Sequence, residues 1–340
     1  MNKKRVLAML LAGAMALSMT ACGGGNSAST DDSSNDGGAS ASGGSYKVSV
    51  ILKTLAAEYW QYVKSGAEDY AAEHSDKVTV EVKGPSSETA FDEMQNMIET
   101  DLSSGTYDGI VISPLQSDTA AQLVSGTKLP IVAIDTNFTA PEVKSFVGTG
   151  NEAAAKKGGE AAVEAAKAAG WTDIKCIEIA GVQGDQTNTA RMNGYKAGVE
   201  EAGGTFLSDE VQYADATADR ATTAMEAIMQ THPEGIAIIC ANNDDMALGA
   251  ISSLQTAGYN KEGTKAIPVF GVDATDAAKS AVNSGAMVGT IKQDADGMAK
   301  AITTITQNFF ADKNALDSID SENLVGKWRV NIPYHTYTGE

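Results

Sequence analysis

Histidine, cysteine and positive charge are scarce in this chain of 340 residues. With three His and three Cys, it offers little material for His-based catalysis or zinc binding, and a disulfide scaffold is excluded. The formal charge is -19, from 25 Lys and Arg against 44 Asp and Glu. Because a nucleic-acid surface needs positive charge, we expect no nucleic-acid partner. The hydrophobic fraction of 43% can supply a large core, and the length is typical of two domains.

The N-terminus has the pattern of a secretory signal. Residues 3–5 are basic, and residues 6–21 form an apolar stretch that is shorter than the roughly 20 residues that span a bilayer. Residues 19–22 (MTAC) place small residues before a Cys, as in a bacterial lipobox. We therefore expect residues 1–21 to be a signal peptide and Cys22 to carry lipid such as palmitate. An ordinary signal peptide with a chance Cys is the alternative.

Residues 22–45 continue after that Cys as a Gly/Ser-rich segment whose only charges are Asp31, Asp32 and Asp36. Such a composition cannot bury a core and is typical of a flexible linker. Lipid, linker and globular body together predict a protein held at the outer face of the cell membrane. This arrangement argues against a cytoplasmic enzyme or gene regulator.

Apolar strands alternate with helices from residue 46 onward. Runs such as residues 109–112 (GIVI) and 131–134 (IVAI) are typical of strands buried on both faces, and their alternation with helices predicts parallel sheets. The alternation begins again near residue 145, so we expect two α/β halves. Polar residues follow several strands directly, which marks a cleft beyond the strand ends; these residues are Lys53, Asp135, Asn243 and Asp273.

Several segments resemble the type I periplasmic sugar-binding proteins, and the ribose- and allose-binding members in particular. They follow one another in the family's order and extend over nearly all of residues 46–340. The matching segments are residues 51–60 (ILKTLAAEYW), 113–114, 130–135, 189–194 (TARMNG), 242–249 (NNDDMALG), 270–273 and 290–293. The resemblance implies two Rossmann-like lobes with parallel sheets, joined by a three-segment hinge around a monosaccharide.

The resemblance also implies where the lobes begin and end. The first lobe is expected to contain residues 46–149 plus 294–325, and the second residues 150–293 plus 326–340. The chain is then expected to cross between lobes at residues 148–151, 293–296 and 325–327.

By the same resemblance, nine residues are expected to contact the ligand. Sugar hydroxyls both donate and accept hydrogen bonds, so a site needs charged and amide groups, together with aromatic faces for the ring. The candidates are Lys53, Tyr59, Trp60, Asp135, Asn151, Arg191, Asn243, Asp273 and Gln293. Adjacent helical residues point about 100° apart, so Tyr59 or Trp60 can instead be a core residue.

The chain also departs from the family pattern. Residues 213–216 (YADA) lack the second-lobe aromatic, and Thr136 stands where ribose-binding members carry Arg, so ribose itself is not implied. One of Asp244 and Asp245 is expected to be a helix N-cap or a hinge-side polar residue. Cys176 and Cys240 lie in apolar strands and are expected to be buried thiols.

Together these observations predict a monomeric binding protein, with no enzymatic activity, cofactor or metal. It would capture a pentose, a rare hexose or a related polyol and deliver it to the permease and ATPase of an ABC importer. The alternative is a sugar sensor that passes its occupancy to a membrane histidine kinase or chemoreceptor. The sequence does not separate these two functions.

Overall fold

The computed structural model describes residues 45–310 and 316–339. The predicted signal peptide, Cys22 and most of the linker lie outside the described residues. Within the described ranges, no helix is long and apolar enough to cross a membrane.

Strands and helices alternate strictly through the first part of the globular body until two strands follow in succession. These elements are β1 (Tyr46–Ile51), α1 (Glu58–Glu73), β2 (Val78–Lys83), α2 (Phe91–Ser104), β3 (Gly109–Ile112), α3 (Ser117–Leu123), β4 (Ile131–Ile134) and β5 (Val143–Thr149).

A second alternating series builds the second lobe. Its elements are α4 (Asn151–Ala168), β6 (Lys175–Ala180), α5 (Gln186–Glu201), β7 (Thr205–Phe206), β8 (Gln212–Tyr213), α6 (Ala218–Thr231), β9 (Ile238–Ala241), α7 (Asp244–Thr256), β10 (Val269–Val272), α8 (Asp276–Asn283) and β11 (Gly289–Gln293). The C-terminal elements are α9 (Ala295–Phe310), β12 (Leu324–Val325), β13 (Arg329–Ile332) and β14 (Tyr334–Tyr337).

The strands form two separate sheets. The first has the order β12-β13-β5-β4-β3-β1-β2, and the second has the order β14-β11-β10-β9-β6-β7, with β8 also paired to β6. All pairs are parallel except β12 with β13 and β14 with β11. The chain changes sheet at Gly150, at Asp294 and at Pro333. The first two places lie within the predicted crossings.

The expected third crossing at residues 325–327 is wrong. The strands on either side of these residues, β12 and β13, both belong to the first sheet, and β13 runs parallel to β5. Val330 and Ile332 of β13 are buried in the core of the first lobe. Residues 326–332 therefore belong to the first lobe and not, as expected, to the second.

Each sheet is buried on both faces, because successive strand residues point to opposite sides. On β3, Val111 packs with Met298 of α9, whereas Ile110 and Ile112 pack with Met94 of α2. The second sheet repeats this arrangement. Cys176 and Cys240 are the buried, free thiols that the sequence predicted, with their Sγ atoms 3.6 Å apart.

Helices α4 and α5 pack unusually close together because α5 carries glycines at the contact. A Cβ on Gly194 would lie 2.2 Å from the carbonyl oxygen of Glu152, and one on Gly198 would lie 2.0 Å from that of Lys156. No side chain larger than hydrogen fits at these distances. This close contact holds α5 in one position against α4. It therefore also positions the α5 side chains that line the edge of the second lobe.

Two predicted elements differ from the structure. The sequence predicts one strand over residues 204–211, but the chain pairs with β6 as β7, leaves it in a helical turn at Ser208–Glu210, and returns to it as β8. Ser and Asp favour such turns through local side-chain hydrogen bonds. The sequence also predicts a helix over residues 88–102, but α2 begins at Phe91, which leaves Glu88 in the preceding loop.

Candidate binding site between the lobes

Eight of the nine predicted ligand residues meet at one cavity between the two sheets. The cavity lies beyond the carboxyl ends of β1 and β4 in the first lobe and of β9, β10 and β11 in the second. The predicted residues that line it are Lys53, Tyr59, Trp60, Asp135, Arg191, Asn243, Asp273 and Gln293. Asn151 is the exception, and it contacts one of these residues from behind.

Lys53 follows β1 and carries a buried ammonium group between two carboxylates. Its Nζ lies 2.7 Å from Oδ2 of Asp185, in the second lobe, and 3.7 Å from Oδ2 of Asp135, in the first. Burial by itself lowers the pKa of Lys53, but the two carboxylates outweigh burial and raise that pKa above its ordinary value. Lys53 is therefore charged and links the two lobes.

Asp135 and Asp273 occupy equivalent positions in the two lobes. Each is the first residue after a central strand, β4 for Asp135 and β10 for Asp273. The backbone N–H of Asp135 donates to the carbonyl oxygen of Val147, and that of Asp273 donates to the carbonyl oxygen of Ile291, each over 2.8 Å. Both have positive φ, 56° for Asp135 and 121° for Asp273. Such backbone costs about 1–3 kcal/mol and is concentrated at functional sites. The strain turns both carboxylates out of their sheets toward the cavity.

Arg191 projects from α5 and is held at two points. Its Nε donates to Oδ1 of Asn151 over 2.9 Å, and its Nη1 donates to the carbonyl oxygen of Asn242 over 2.8 Å. Burial lowers the pKa of Arg191, but the carboxylates of Asp273 and Asp135 outweigh it and raise that pKa. Asn151 thus orients the guanidinium, although it was expected to face the ligand itself.

Gln293 lies at the end of β11 and touches Asp273. Its Nε2 donates to Oδ1 of Asp273 over 2.8 Å. Its Oε1 is buried and has no hydrogen-bond partner among the described residues. Burial raises the pKa of Asp273 well above its ordinary value, although Arg191 acts in the opposite direction. The Gln293–Asp273 pair therefore contains at least one hydrogen-bond acceptor, Oε1 of Gln293, to which no described protein group donates.

Tyr59 and Trp60 belong both to the cavity wall and to the core of the first lobe. Their rings meet edge to face, with centroids 5.0 Å apart and an interplanar angle of 69°. Trp60 Nε1 donates to Oε1 of Glu88 over 3.2 Å, and the Tyr59 hydroxyl lies 3.7 Å from Sδ of Met298. The two alternatives from the sequence, core residue and cavity residue, thus apply together.

Asn243, and neither of the aspartates after it, is the N-cap of α7. Its Oδ1 accepts from the backbone N–H of Met246 over 2.9 Å, and its Nδ2 donates to the carbonyl oxygen of Ala216. Asp244 instead accepts from Thr275 N and Thr290 Oγ1 inside the second lobe, and burial raises its pKa to about 7. Of the two roles expected for Asp244 or Asp245, the N-cap is therefore wrong, because Asn243 already has the extended backbone that a cap requires.

Two carboxylates at the cavity were not predicted from the sequence. Glu88 lines the cavity from the loop before α2, and burial raises its pKa. Asp185 caps α5 by accepting from Asn188 N over 2.9 Å and pairs with Lys53. Asp185 follows an apolar strand within a few residues, so the reasoning that selected Asp135 could have found it. Nothing in the local pattern marks Glu88.

Ala216 and Met246 occupy the second-lobe wall where the family's aromatic is missing. Neither group has a flat face or a charge. This wall is therefore smaller and more adaptable than an aromatic surface, since Met has a flexible thioether side chain.

The two lobes touch around the cavity. Besides the Lys53–Asp185 pair, the hydroxyls of Thr136 and Thr187 lie 2.8 Å apart. The backbone N–H of Asp276 donates to Oε1 of Glu58 over 3.2 Å. The cavity between the lobes measures about 30 Å³, which is room for one or two water molecules. The structure is thus a closed arrangement, and a larger ligand enters only when the lobes separate.

Two α/β lobes that close over a polar cavity at their strand ends define a two-lobed binding protein. Comparisons with known proteins agree with this class. Residues 48–314 match the family model of the periplasmic binding protein domain. Because the match extends over most of the chain, the protein belongs to this family. The predicted fold is confirmed, and so is the expectation of a binding protein in place of an enzyme.

Named relatives are similar over most of the globular body. The D-ribose/D-allose-binding protein of Pseudomonas aeruginosa is 27% identical over 256 residues, which are 73% of this chain and 76% of that protein. The D-allose-binding periplasmic protein of Escherichia coli is 30% identical over 256 residues, 72% of this chain and 78% of that protein. A carbohydrate transporter solute-binding protein from Agrobacterium radiobacter, solved with D-arabinose, has the same fold, with a TM-score of 0.74 at 22% identity over 86% of this chain and 94% of that one.

Proposed function

We propose that this protein binds a monosaccharide or a related polyol between its lobes and delivers it to an ATP-driven importer. The observation that carries the proposal is the cavity itself. Charged and amide groups of both lobes surround two aromatic rings there. A sugar presents hydroxyls, each of which donates and accepts, and apolar C–H faces, so its surface is complementary to such a wall.

The two carboxylates at the strand ends supply the acceptors. Asp135 and Asp273 approach from opposite lobes, so one ligand that contacts both stabilises the closed arrangement. Lys53 and Arg191 supply charged donors, and the unpartnered Oε1 of Gln293 supplies a further acceptor. Closure is the signal by which an importer can distinguish loaded from unloaded protein.

The ligand class that fits is a neutral pentose, rare hexose or polyol. The relatives named above are described as binding D-ribose or D-allose, and the solved neighbour holds D-arabinose. Four carboxyl groups, on Glu88, Asp135, Asp185 and Asp273, lie at the cavity against the two cations Lys53 and Arg191. An additional negative charge would meet like charges in a buried site, so acidic sugars are disfavoured.

The proposal includes a lipid anchor, such as palmitate, at Cys22, with the protein at the outer face of the cell membrane. Its support is the basic, apolar and small-residue pattern of residues 3–22 and the linker after it. Growing cells on radioactive palmitate tests the anchor. Label that co-purifies with the protein after delipidation by solvent supports the anchor, and a protein without label contradicts it.

The sugar site is tested by a thermal-shift screen of pentoses, rare hexoses, polyols and inositols, followed by calorimetry on Asp135→Asn. Asn tolerates the left-handed backbone of Asp135, with φ 56°, and keeps the shape of the side chain, so the change removes chiefly the charge beside Lys53. Hydrogen bonds to charged groups contribute about 1.5–3 kcal/mol, so we expect affinity to fall at least about tenfold.

Asp209→Asn is the control, because Asp209 is exposed and lies away from the cavity. It should bind as the wild type does. A screen in which no sugar or polyol raises the melting temperature, or an Asp135→Asn variant with unchanged affinity, would contradict the proposed site.

A further inference from the structure

A second, larger groove lies beside the first crossing between the lobes. Its volume is about 580 Å³. One wall comes from the first lobe, at Phe146, Thr149 and Arg329, and the other from the start of α4 and from α5 between residues 186 and 197. We call it the hinge groove. It shares only Asp135 and Thr187 with the cavity between the lobes.

Arg329 brings a charge into the hinge groove that no described carboxylate neutralises. The guanidinium lies over the Phe146 ring, 5.0 Å from its centroid. Its one hydrogen bond is long, from Nη2 to the carbonyl oxygen of Thr149 over 3.4 Å, and its buried Nε has no partner among the described residues. Burial lowers the pKa of Arg329 from its ordinary value, and no carboxylate acts to restore it. A partly buried, unpaired cation is costly, so an anion there is stabilised.

Thr149 is the second polar group without a partner. The residue is only 3% exposed, it lines the hinge groove, and its Oγ1 makes no hydrogen bond within the described residues. Buried hydroxyls are normally hydrogen-bonded. Thr149 lies at the end of β5, one residue before Gly150, so Thr149 and the start of α4 line the same groove.

The start of α4 adds backbone donors. Gly150 is its N-cap and provides no side-chain cap, and residues 151–153 line the hinge groove. The first N–H groups of a helix have no partner inside the helix and carry the positive end of its dipole. With an unpaired guanidinium and a free hydroxyl beside them, these groups form a cluster of donors.

The other charges of the hinge groove are already engaged or lie in water. Lys156 pairs with Glu160 and Glu201, each at 2.8 Å. Asp135 faces Lys53, and Glu152 is exposed at the rim. Arg329 is thus the charge that remains available to a ligand.

We propose that the hinge groove is a binding site for a small organic anion that carries a carboxylate or phosphate group, distinct from the sugar site. Arg329 and the Thr149 hydroxyl bind the anionic group together with the first N–H groups of α4. The small residues Ala190, Gly194 and Ala197 of α5 form an apolar floor for the remainder of the molecule.

Amide NMR titrations with sodium phosphate and, separately, sodium acetate test the site, with sodium chloride keeping the ionic strength constant. We expect the amide resonances of residues 151–153 to shift and saturate with at least one of the two probes. The probe that saturates at the lower concentration identifies the preferred group. Arg329→Gln should weaken that binding at least about tenfold, because a charge-assisted hydrogen bond is lost.

Thr149→Val should weaken binding by a few fold while it preserves the shape of the side chain, which keeps the test valid if Arg329→Gln unfolds. Arg220→Gln is the matched control, because Arg220 is exposed and pairs with Asp215 on the second lobe; it should titrate like the wild type. The proposal is overturned if neither probe gives saturating shifts, or if both hinge-groove variants titrate like Arg220→Gln.

Discussion

At the residue scale, a carboxyl group that forms no salt bridge with the described residues lies next to the cavity between the lobes. Glu178 is fully buried on β6, and the amide of Asn242 donates to its Oε1. Its Oε2 and the Oδ1 of Asn242 both have no partner among the described residues. One proton on Oε2 can satisfy both oxygens, and burial raises the pKa of Glu178 well above its ordinary value. We infer that Glu178 and Asn242 form a neutral acid–amide pair.

This pair predicts how stability depends on pH. As pH rises above about 4.5, Glu178 ionises in the unfolded chain but stays protonated in the folded protein, so the wild type loses free energy of unfolding, by up to about 1.4 kcal/mol per pH unit. Glu178→Gln preserves the hydrogen bonds without the ionisation. Urea unfolding should therefore show the variant gaining stability relative to the wild type from pH 5 to pH 7.

Glu99→Gln, on the exposed face of α2, provides the control. Its stability difference from the wild type should be the same at both pH values. If the Glu178→Gln difference is also constant, Glu178 is ionised in the folded protein and the neutral pair is wrong.

The sequence allowed us to place those site residues that directly follow a strand. Asp135 and Asp273 could be placed because a strand determines the position of the next one or two residues. Glu88 could not, because a loop of several residues can bring its side chain to many places. Asn151 lies at the first crossing between the lobes, as expected, but its side chain contacts Arg191. This contact depends on how α4 packs against α5, which the sequence does not show.

At the scale of the elements, the buried strands were the most predictable feature and the connections the least. The apolar runs of β3 and β4 can only be interior strands. The path of residues 204–211 and the third crossing depend on pairing with distant strands, β6 and β5. Such long-range pairing leaves no local pattern in the sequence.

The α4–α5 contact predicts a strong effect of a single methyl group. Gly198→Ala would place Cβ 2.0 Å from the carbonyl oxygen of Lys156, so the helices must separate. Overpacking of this kind costs about 1–3 kcal/mol. At roughly 2–4 °C per kcal/mol for a domain of this size, calorimetry should show a fall of at least about 2 °C in Tm.

Asn193→Ala lies on the exposed side of the same helix and is the matched control. It should leave Tm nearly unchanged, since surface substitutions are usually within ±0.5 kcal/mol. Equal melting temperatures for both variants would mean that the two helices can move apart at no cost.

At the scale of the whole molecule, a few polar contacts hold the lobes together. The Lys53–Asp185 pair is buried and joins them directly. In Asp185→Asn, the amide can still cap α5 but cannot pair with the ammonium as a charge. Because removal of one partner of a buried ion pair costs about 3–5 kcal/mol, we expect the sugar-free variant to shift toward open lobes. Small-angle scattering should give a larger radius of gyration than for the wild type.

Asp209→Asn should scatter like the wild type. If Asp185→Asn also does so, the ion pair does not contribute to closure in solution, and other contacts between the lobes must hold them.

The small size of the closed cavity has a kinetic consequence. A space of about 30 Å³ cannot admit a sugar, so a molecule that has already closed cannot capture one. The observed association rate constant should then scale with the fraction of molecules that are open, and the apparent affinity is reduced by the same fraction. The lysine that would donate to the ligand also holds the lobes closed through Asp185. If the proposed function holds, the protein's own carboxylate competes with the sugar for Lys53 and slows its capture.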